Sequence, residues 1–352
     1  MKRLMIFYLL TALCVFPAFG VELEVPGLGE VLEQAEEYDV SPDGDLDQGL
    51  TGLLNSAAGQ LRVLFQAGLS TAVKLTAVVL LCALAQGAQG EGGEVQAVTI
   101  AGALAITALT MTDMAVMIGL GRDTLGKMEA FSQLLLPVVA VLTAATGGIT
   151  GAAARQGATV FFSQLLMLAM DRLLVPLIYA YVAVNCAHAA VGNPGLKKVG
   201  ELIKNTATTI LTALLVAFVG YLTASGAIAG SVDAAAVKTA KMAISRAIPV
   251  VGGILADASE SVLAGAGALR GTVGAVGMLV VLAMCLTPFL RLGVQYIVYR
   301  GTAAVCASIV QPQLSGLIEA ISSAFGLVLG MTGAGALVLL VSLVSAVKAV
   351  IP

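Results

Sequence analysis

Long apolar runs, broken at intervals by glycine, proline or a few charges, occupy the chain from about Val73 to its end. A helix needs about 20 mostly apolar residues to cross a hydrocarbon core about 30 Å thick. On that measure spans are predicted near Val73 to Ala85, Ala97 to Leu120, Phe131 to Gly151, Ala158 to Val191, Asn205 to Gly230, Ile248 to Leu269, Thr272 to Leu290, Leu292 to Val310 and Ser323 to Val347. The first is preceded by an amphipathic lead-in carrying Arg62, and it holds Lys74. The run from Ala158 to Val191 is too long for one untilted crossing and carries Asp171 and Arg172 near its middle, so it reads either as one tilted span or as two short segments. Asp257 and Glu260 make the run after Ile248 amphipathic, which leaves a re-entrant or interfacial helix open beside a full crossing.

The first 60 residues have a different pattern. Lys2 and Arg3 precede an apolar stretch from Leu4 to Phe16, and Ala18 and Gly20 supply small residues for cleavage after Gly20. That is the layout of a secretory signal; an uncleaved first anchor is the alternative, and either one exports the segment after Gly20. Ten of the 21 acidic residues lie between Glu22 and Asp47, with no Lys or Arg among them. Glu30, Glu33, Glu36, Glu37 and Asp39 recur at helical spacing before the turn Ser41-Pro42-Asp43-Gly44, so residues 21–60 read as a small acidic headpiece suited to export.

Composition supports a lipid solvent. Hydrophobic residues make up 59% and charged residues 11% of 352 positions, less than half the charged share of an ordinary soluble domain. The net charge of −3 disfavours nucleic-acid binding. Tryptophan is absent, so an interfacial aromatic belt rests on Tyr and Phe. Cys14 falls in the export signal, while Cys82, Cys186, Cys285 and Cys306 sit singly in apolar segments without metal or redox spacing and read as small buried hydrophobes.

A shift of 112 to 115 positions brings parts of the chain into register. Lys127-Met128 falls on Lys241-Met242, Pro137-Val138-Val139 on Pro249-Val250-Val251, Leu168-Ala169-Met170 on Leu282-Ala283-Met284, Pro176 on Pro288 and Leu202-Ile203 on Leu317-Ile318. We read this as an internal repeat. An odd number of crossings per copy makes the copies inverted, as in many transporters, and an even number makes them parallel. Basic residues are balanced between the loop with Lys197, Lys198 and Lys204 and the loop with Lys238, Lys241 and Arg246, so charge bias does not orient the chain.

Intramembrane ionisable groups are the residues most suited to function, since a charge at the bilayer centre persists only with a partner or water. The candidates are Asp113, Asp171, Arg172, Asp257, Glu260, Arg291 and Arg300. Asp171 and Arg172 form a candidate charge pair, or mark a loop. Asp257 and Glu260 share a helix face and either line an aqueous path or meet interfacial water. His188, near a span end, has no Cys or carboxylate pair beside it and reads as structural or exposed. Small residues four apart at Gly147/Gly151, Gly267/Gly271 and Gly326/Gly330 point to close helix packing. No phosphate-binding Gly-Lys-Ser/Thr loop, zinc-protease helix or serine nucleophile elbow is present. No catalytic residue, metal ligand or cofactor site is expected.

The segment Lys241 to Leu263, with its Pro249-Val250-Val251-Gly252-Gly253 run and then Asp257 and Glu260, resembles the most characteristic segment of the stage III sporulation protein AE family. The order of export signal, short headpiece, Gly/Ala-rich multi-span body and final hydrophobic helix is similar to that family over nearly the whole chain. The resemblance implies a component of the sporulation channel of endospore-forming bacteria, in the mother-cell membrane that surrounds the forespore. It also implies partners: the other stage III sporulation operon membrane proteins, ring-forming proteins, a secretion-type ATPase and a forespore-side channel partner. It supplies no catalytic residues.

The expectation is an all-α polytopic membrane protein with roughly seven to nine membrane segments and an internal repeat. Its parts are a signal (1–20), an acidic headpiece (21–60), a lead-in and first span (61–96), repeat 1 (97–204), repeat 2 (205–316) and a C-terminal span (317–352). Pro249, Gly252, Gly253, Asp257 and Glu260 are the candidate path-lining or signature residues, because unwound backbone beside glycine and proline exposes polar groups that line a cavity. The rival functions are an autonomous ion-coupled transporter and a passive scaffold.

Overall fold

The structure is a computed structural model that describes residues 27–38, 40, 46–88, 94–145, 161–162, 164–224, 272–309 and 312–348. The described residues are almost all helical, with no strand among them. The helices are α1 (Leu28–Glu37), α2 (Leu46–Ala88), α3 (Glu94–Ala145), α4 (Gln164–Val191), α5 (Pro194–Ala224), α6 (Thr272–Ala307) and α7 (Pro312–Lys348). All but α1 are long and apolar enough to cross a membrane.

Six spans among the described residues is fewer than the seven to nine expected, for two physical reasons. The charged stretch after Leu120 does not end a helix: α3 runs through it for 52 residues, with Pro137 inside. Lys127 pairs one turn back with Asp123 at 3.3 Å, so these charges are met on the helix surface without a loop. Pro288 and Arg291 likewise lie within one helix, α6. The expected span from Ile248 to Leu269 lies outside the described residues, as do the signal and the loop carrying Lys238, Lys241 and Arg246.

Residues 164–191 form one helix and not two. A π-turn over Met170–Leu174 interrupts it, with the Val175 N–H bonded to the Met170 carbonyl. Pro176 comes next, in the first turn of Val175–Val191. Proline has no N–H and crowds the carbonyl four residues back, and a widened turn removes that clash. The helix ends at Gly192, whose φ of 73° and N–H bond to the His188 carbonyl make a left-handed cap. His188 Nδ1 lies 2.9 Å from the Asn193 carbonyl, so the histidine closes this turn.

Cross-helix contacts fix the relative directions. Arg122 meets Asp171 and Thr107 meets Cys186, so α4 runs antiparallel to α3. Asp113 meets Tyr299 while Leu135 meets Gly277, so α6 is antiparallel to α3 as well. Gly102 meets Leu314 and Gly335 meets Leu125, so α7 runs parallel to α3. Gly200 faces Asn185 and Phe218 faces Phe162, making α5 antiparallel to α4. The helices matched by the sequence repeat, α4 with α6 and α5 with α7, therefore share direction. A duplication relating them is parallel; the inverted alternative does not fit these directions.

The core gathers around α7. Of its most apolar stretch 89% is buried, against 22% for α2 and for α5. Helices α3, α4, α5 and α6 all pack on it. Leu54, Leu69, Val73 and Leu84 on α2 and Leu202 and Val216 on α5 stay exposed, as expected of a lipid-facing rim. Helix α1 sets Val31 and Ala35, one turn apart, into the bundle against α3 and α6, while Glu30, Glu33, Glu36 and Glu37 face outward.

Candidate functional site

A column of polar side chains runs through the α3, α5, α6 and α7 interfaces, where apolar packing prevails elsewhere. Its inner end is Asp113. From Gln96 to Leu120 α3 is free of other charges, and 25 residues span about 37 Å, enough to cross the bilayer core. Asp113 falls well inside that crossing. Tyr299 donates its hydroxyl to Asp113 Oδ2 at 2.8 Å, and Gln295 Nε2 donates to the same oxygen at 3.1 Å. Gln295 and Tyr299 are four apart on α6, so one helix face presents both donors. Tyr299 is fully buried and its ring stacks edge-on against Phe325 of α7, centroids 4.9 Å apart, which fixes the direction of the phenol.

Toward the end of the bundle that carries the α4–α5 and α6–α7 turns, the column continues between α6, α7 and α5. Ser322 donates to the Tyr296 carbonyl at 3.0 Å, and Lys204 reaches Ser323 at 3.3 Å. Glu201, Glu319 and Arg300 are the charged neighbours of Lys204. Arg300 Nη1 and Glu319 Oε1 stand 3.7 Å apart, an ion pair without a direct hydrogen bond. The column opens into a cleft of about 390 Å³ lined by Lys197, Arg300, Glu319, Ser315 and small alanine and glycine residues. This arrangement binds and orients polar or ionic groups. Among the described residues no three His, Cys, Asp or Glu side chains gather as a metal site requires.

A second polar contact lies on the α3–α4 seam. Arg122 Nε donates to Asp171 Oδ1 at 2.8 Å, and both side chains are about half exposed. The ion-pair partner of Asp171 is thus Arg122, 49 positions away, and not its neighbour Arg172. Successive helical side chains diverge by about 100°, so adjacent residues do not face each other. The π-turn holds Asp171 on the α3-facing side, and Arg172 is exposed.

Of the residues singled out from sequence, Asp113 and Arg300 join the column, and Arg291 is exposed on α6. Pro249, Gly252, Gly253, Asp257 and Glu260 lie outside the described residues. Sequence reasoning missed Tyr299, Gln295, Glu319 and the role of Arg122. One signal was available for Glu319: a carboxylate early in an otherwise apolar helix needs a cation, and Arg300 lies one helix back.

Residues 39–349 match the sequence model of the family described as stage III sporulation protein AE. The chain belongs to that family. A relative described as stage III sporulation protein AE, from Bacillus subtilis (strain 168), is 24% identical over 197 residues, covering 56% of this chain and 49% of that protein. The aligned part is thus about half of the relative's length. No solved structure matches. Membership covers almost all the described residues, so the polar column and the Arg122–Asp171 contact both lie within the part shared with the stage III sporulation protein AE family. It ties this membrane protein to sporulation.

Proposed function

We propose that this protein is a membrane-embedded component of the multiprotein channel that links mother cell and forespore during endospore formation, and that it is needed for late forespore development. Membership in the stage III sporulation protein AE family is the observation that carries this reading. It works in the mother-cell membrane around the forespore. Its partners there are the other stage III sporulation operon membrane proteins, the ring-forming proteins, a secretion-type ATPase and a forespore-side partner. The architecture is consistent with that role: a bundle of apolar helices supplies the membrane-spanning body, and a polar column inside it supplies groups able to contact a polar passenger or a partner helix. In the same reading Pro249, Gly252, Gly253, Asp257 and Glu260 line or shape a polar path. The protein itself carries out no covalent chemistry.

The test is deletion of the gene, with complementation by a tagged copy whose position is imaged. A block after engulfment, with the tagged protein around the forespore, supports the channel reading. Normal spores and a uniform distribution in growing cells would replace it with an autonomous ion-coupled transporter, for which Asp113, a carboxylate inside a crossing, would be the coupling residue to examine.

A further inference from the structure

The cleft at the end of the polar column encloses about 390 Å³. Two cations stand at its edge. Lys197 makes no ion pair among the described residues, and Arg300 has only the 3.7 Å approach of Glu319, so the donors of both are unspent. Its walls are Ala303, Ala304, Ala307 and Gly316, side chains too small to fill the space between those cations. The first turn of α7 closes the cleft, since Pro312 and Ser315 line it. The positive end of that helix's dipole adds to the field of the two side chains. Position matters too. The cleft lies beside the α6–α7 turn, near Ile309, and the turns of α5 and α6 that line it carry exposed Val199, Leu202 and Val305. A cationic pocket between helix ends, next to lipid-facing apolar residues, sits where a phospholipid headgroup lies.

We infer that this cleft binds a phosphate group, held by Lys197 and Arg300 against the start of α7, with an anionic phospholipid headgroup as its source and Glu319 as an internal competitor for Arg300. The inference does not depend on the sporulation role. Glu319 gives it a signature that a purely structural ion pair lacks. If Arg300 and Glu319 only brace the bundle, losing either charge weakens the protein alike. If Glu319 competes with a bound phosphate, removing its charge strengthens binding while removing the cations abolishes it.

The full-length protein, purified in a neutral detergent, is titrated in parallel with phosphatidylglycerol, phosphatidylcholine and inorganic phosphate. Retained lipid is read by native mass spectrometry and stabilisation by the thermal midpoint. The expected result is retention and an upward midpoint shift with phosphatidylglycerol, little with phosphatidylcholine, and at least about tenfold weaker binding in a Lys197→Gln/Arg300→Gln double variant, since two charge-assisted contacts are lost. Glu319→Gln is expected to bind phosphatidylglycerol more tightly than the unaltered protein. A shift with inorganic phosphate that the double variant loses supports the site with free phosphate as its source. Unchanged phosphatidylglycerol binding in the double variant, weaker binding in Glu319→Gln, or no response to any of the three overturns the inference.

Discussion

Tyr299 and Asp113 lie 186 positions apart in sequence and share a 2.8 Å hydrogen bond from phenol to carboxylate inside the bundle. A bond to a charged acceptor away from water contributes more than an average hydrogen bond, and its loss leaves the carboxylate short of a donor. Tyr299→Phe keeps the ring against Phe325 and removes only the donor. We predict a loss of about 2 kcal/mol in unfolding free energy, measured by denaturant titration in detergent. In a double-mutant cycle with Asp113→Ala, which leaves no acceptor, the two effects should fall short of additive, because both substitutions remove the same bond. Full additivity would mean that the bond does not form in the folded protein.

Close helix packing around α7 makes two glycines respond in opposite directions. A Cβ on Gly335 would collide with Leu125 Cδ2, whereas a Cβ on Gly126 meets nothing within 4 Å. Gly335→Ile should overpack the α3–α7 contact and cost about 1–3 kcal/mol. Gly126→Ala relieves the entropic cost of a helical glycine and should stabilise by about 0.5–1 kcal/mol. Thermal midpoints of the two variants in the same detergent decide the matter, and equal responses would contradict the packing of α3 on α7.

The α3–α4 seam provides a chemical check on register. The Thr107 hydroxyl and Cys186 thiol share a 2.9 Å contact. Thr107→Cys should therefore form a disulfide with Cys186 under mild oxidation in membranes, seen as a mobility change on a non-reducing gel and abolished by Cys186→Ser. A slip of one residue in either helix would turn the two side chains apart and leave the variant reduced.

Periodicity and charge made much of this bundle legible, but unevenly. The existence of the long apolar helices and the identity of Asp113 and Arg300 as special residues came from the cost of charge in lipid. Helix ends were less legible. The charges after Leu120 looked like a loop because nothing local reveals that Arg122 is met by Asp171 across the α3–α4 seam. Asp171 and Arg172 looked like a pair because they are neighbours in sequence, yet neighbours on a helix point apart. Gln295 carried no signal, and Tyr299 read only as part of an interfacial aromatic belt although it lies buried in the bundle: a phenol and an amide in an apolar helix acquire their meaning here only when a carboxylate from another helix is placed between them.

The shared direction of the helix pairs matched by the repeat leads to a topological prediction. Because α4 and α6 both run antiparallel to α3, the α4–α5 turn at Asn193 and the α6–α7 turn at Ser308 lie at one end of the bundle. Helix α1 packs at the other end, where Gly27 approaches Val138. Single cysteines placed at Asn193 and at Ser308, in a background with the native cysteines replaced, should react with an impermeant thiol reagent from one compartment. A cysteine at Glu33, exposed on α1, should react from the opposite one. An export signal at the N-terminus predicts that the Glu33 side labels from outside and the cleft side from the cytoplasm. Labelling of Asn193 and Ser308 from opposite sides would restore the inverted repeat and remove the parallel arrangement. If Asn193 and Ser308 agree but Glu33 labels from their side, the bundle directions stand and the placement of α1 at the far end is wrong.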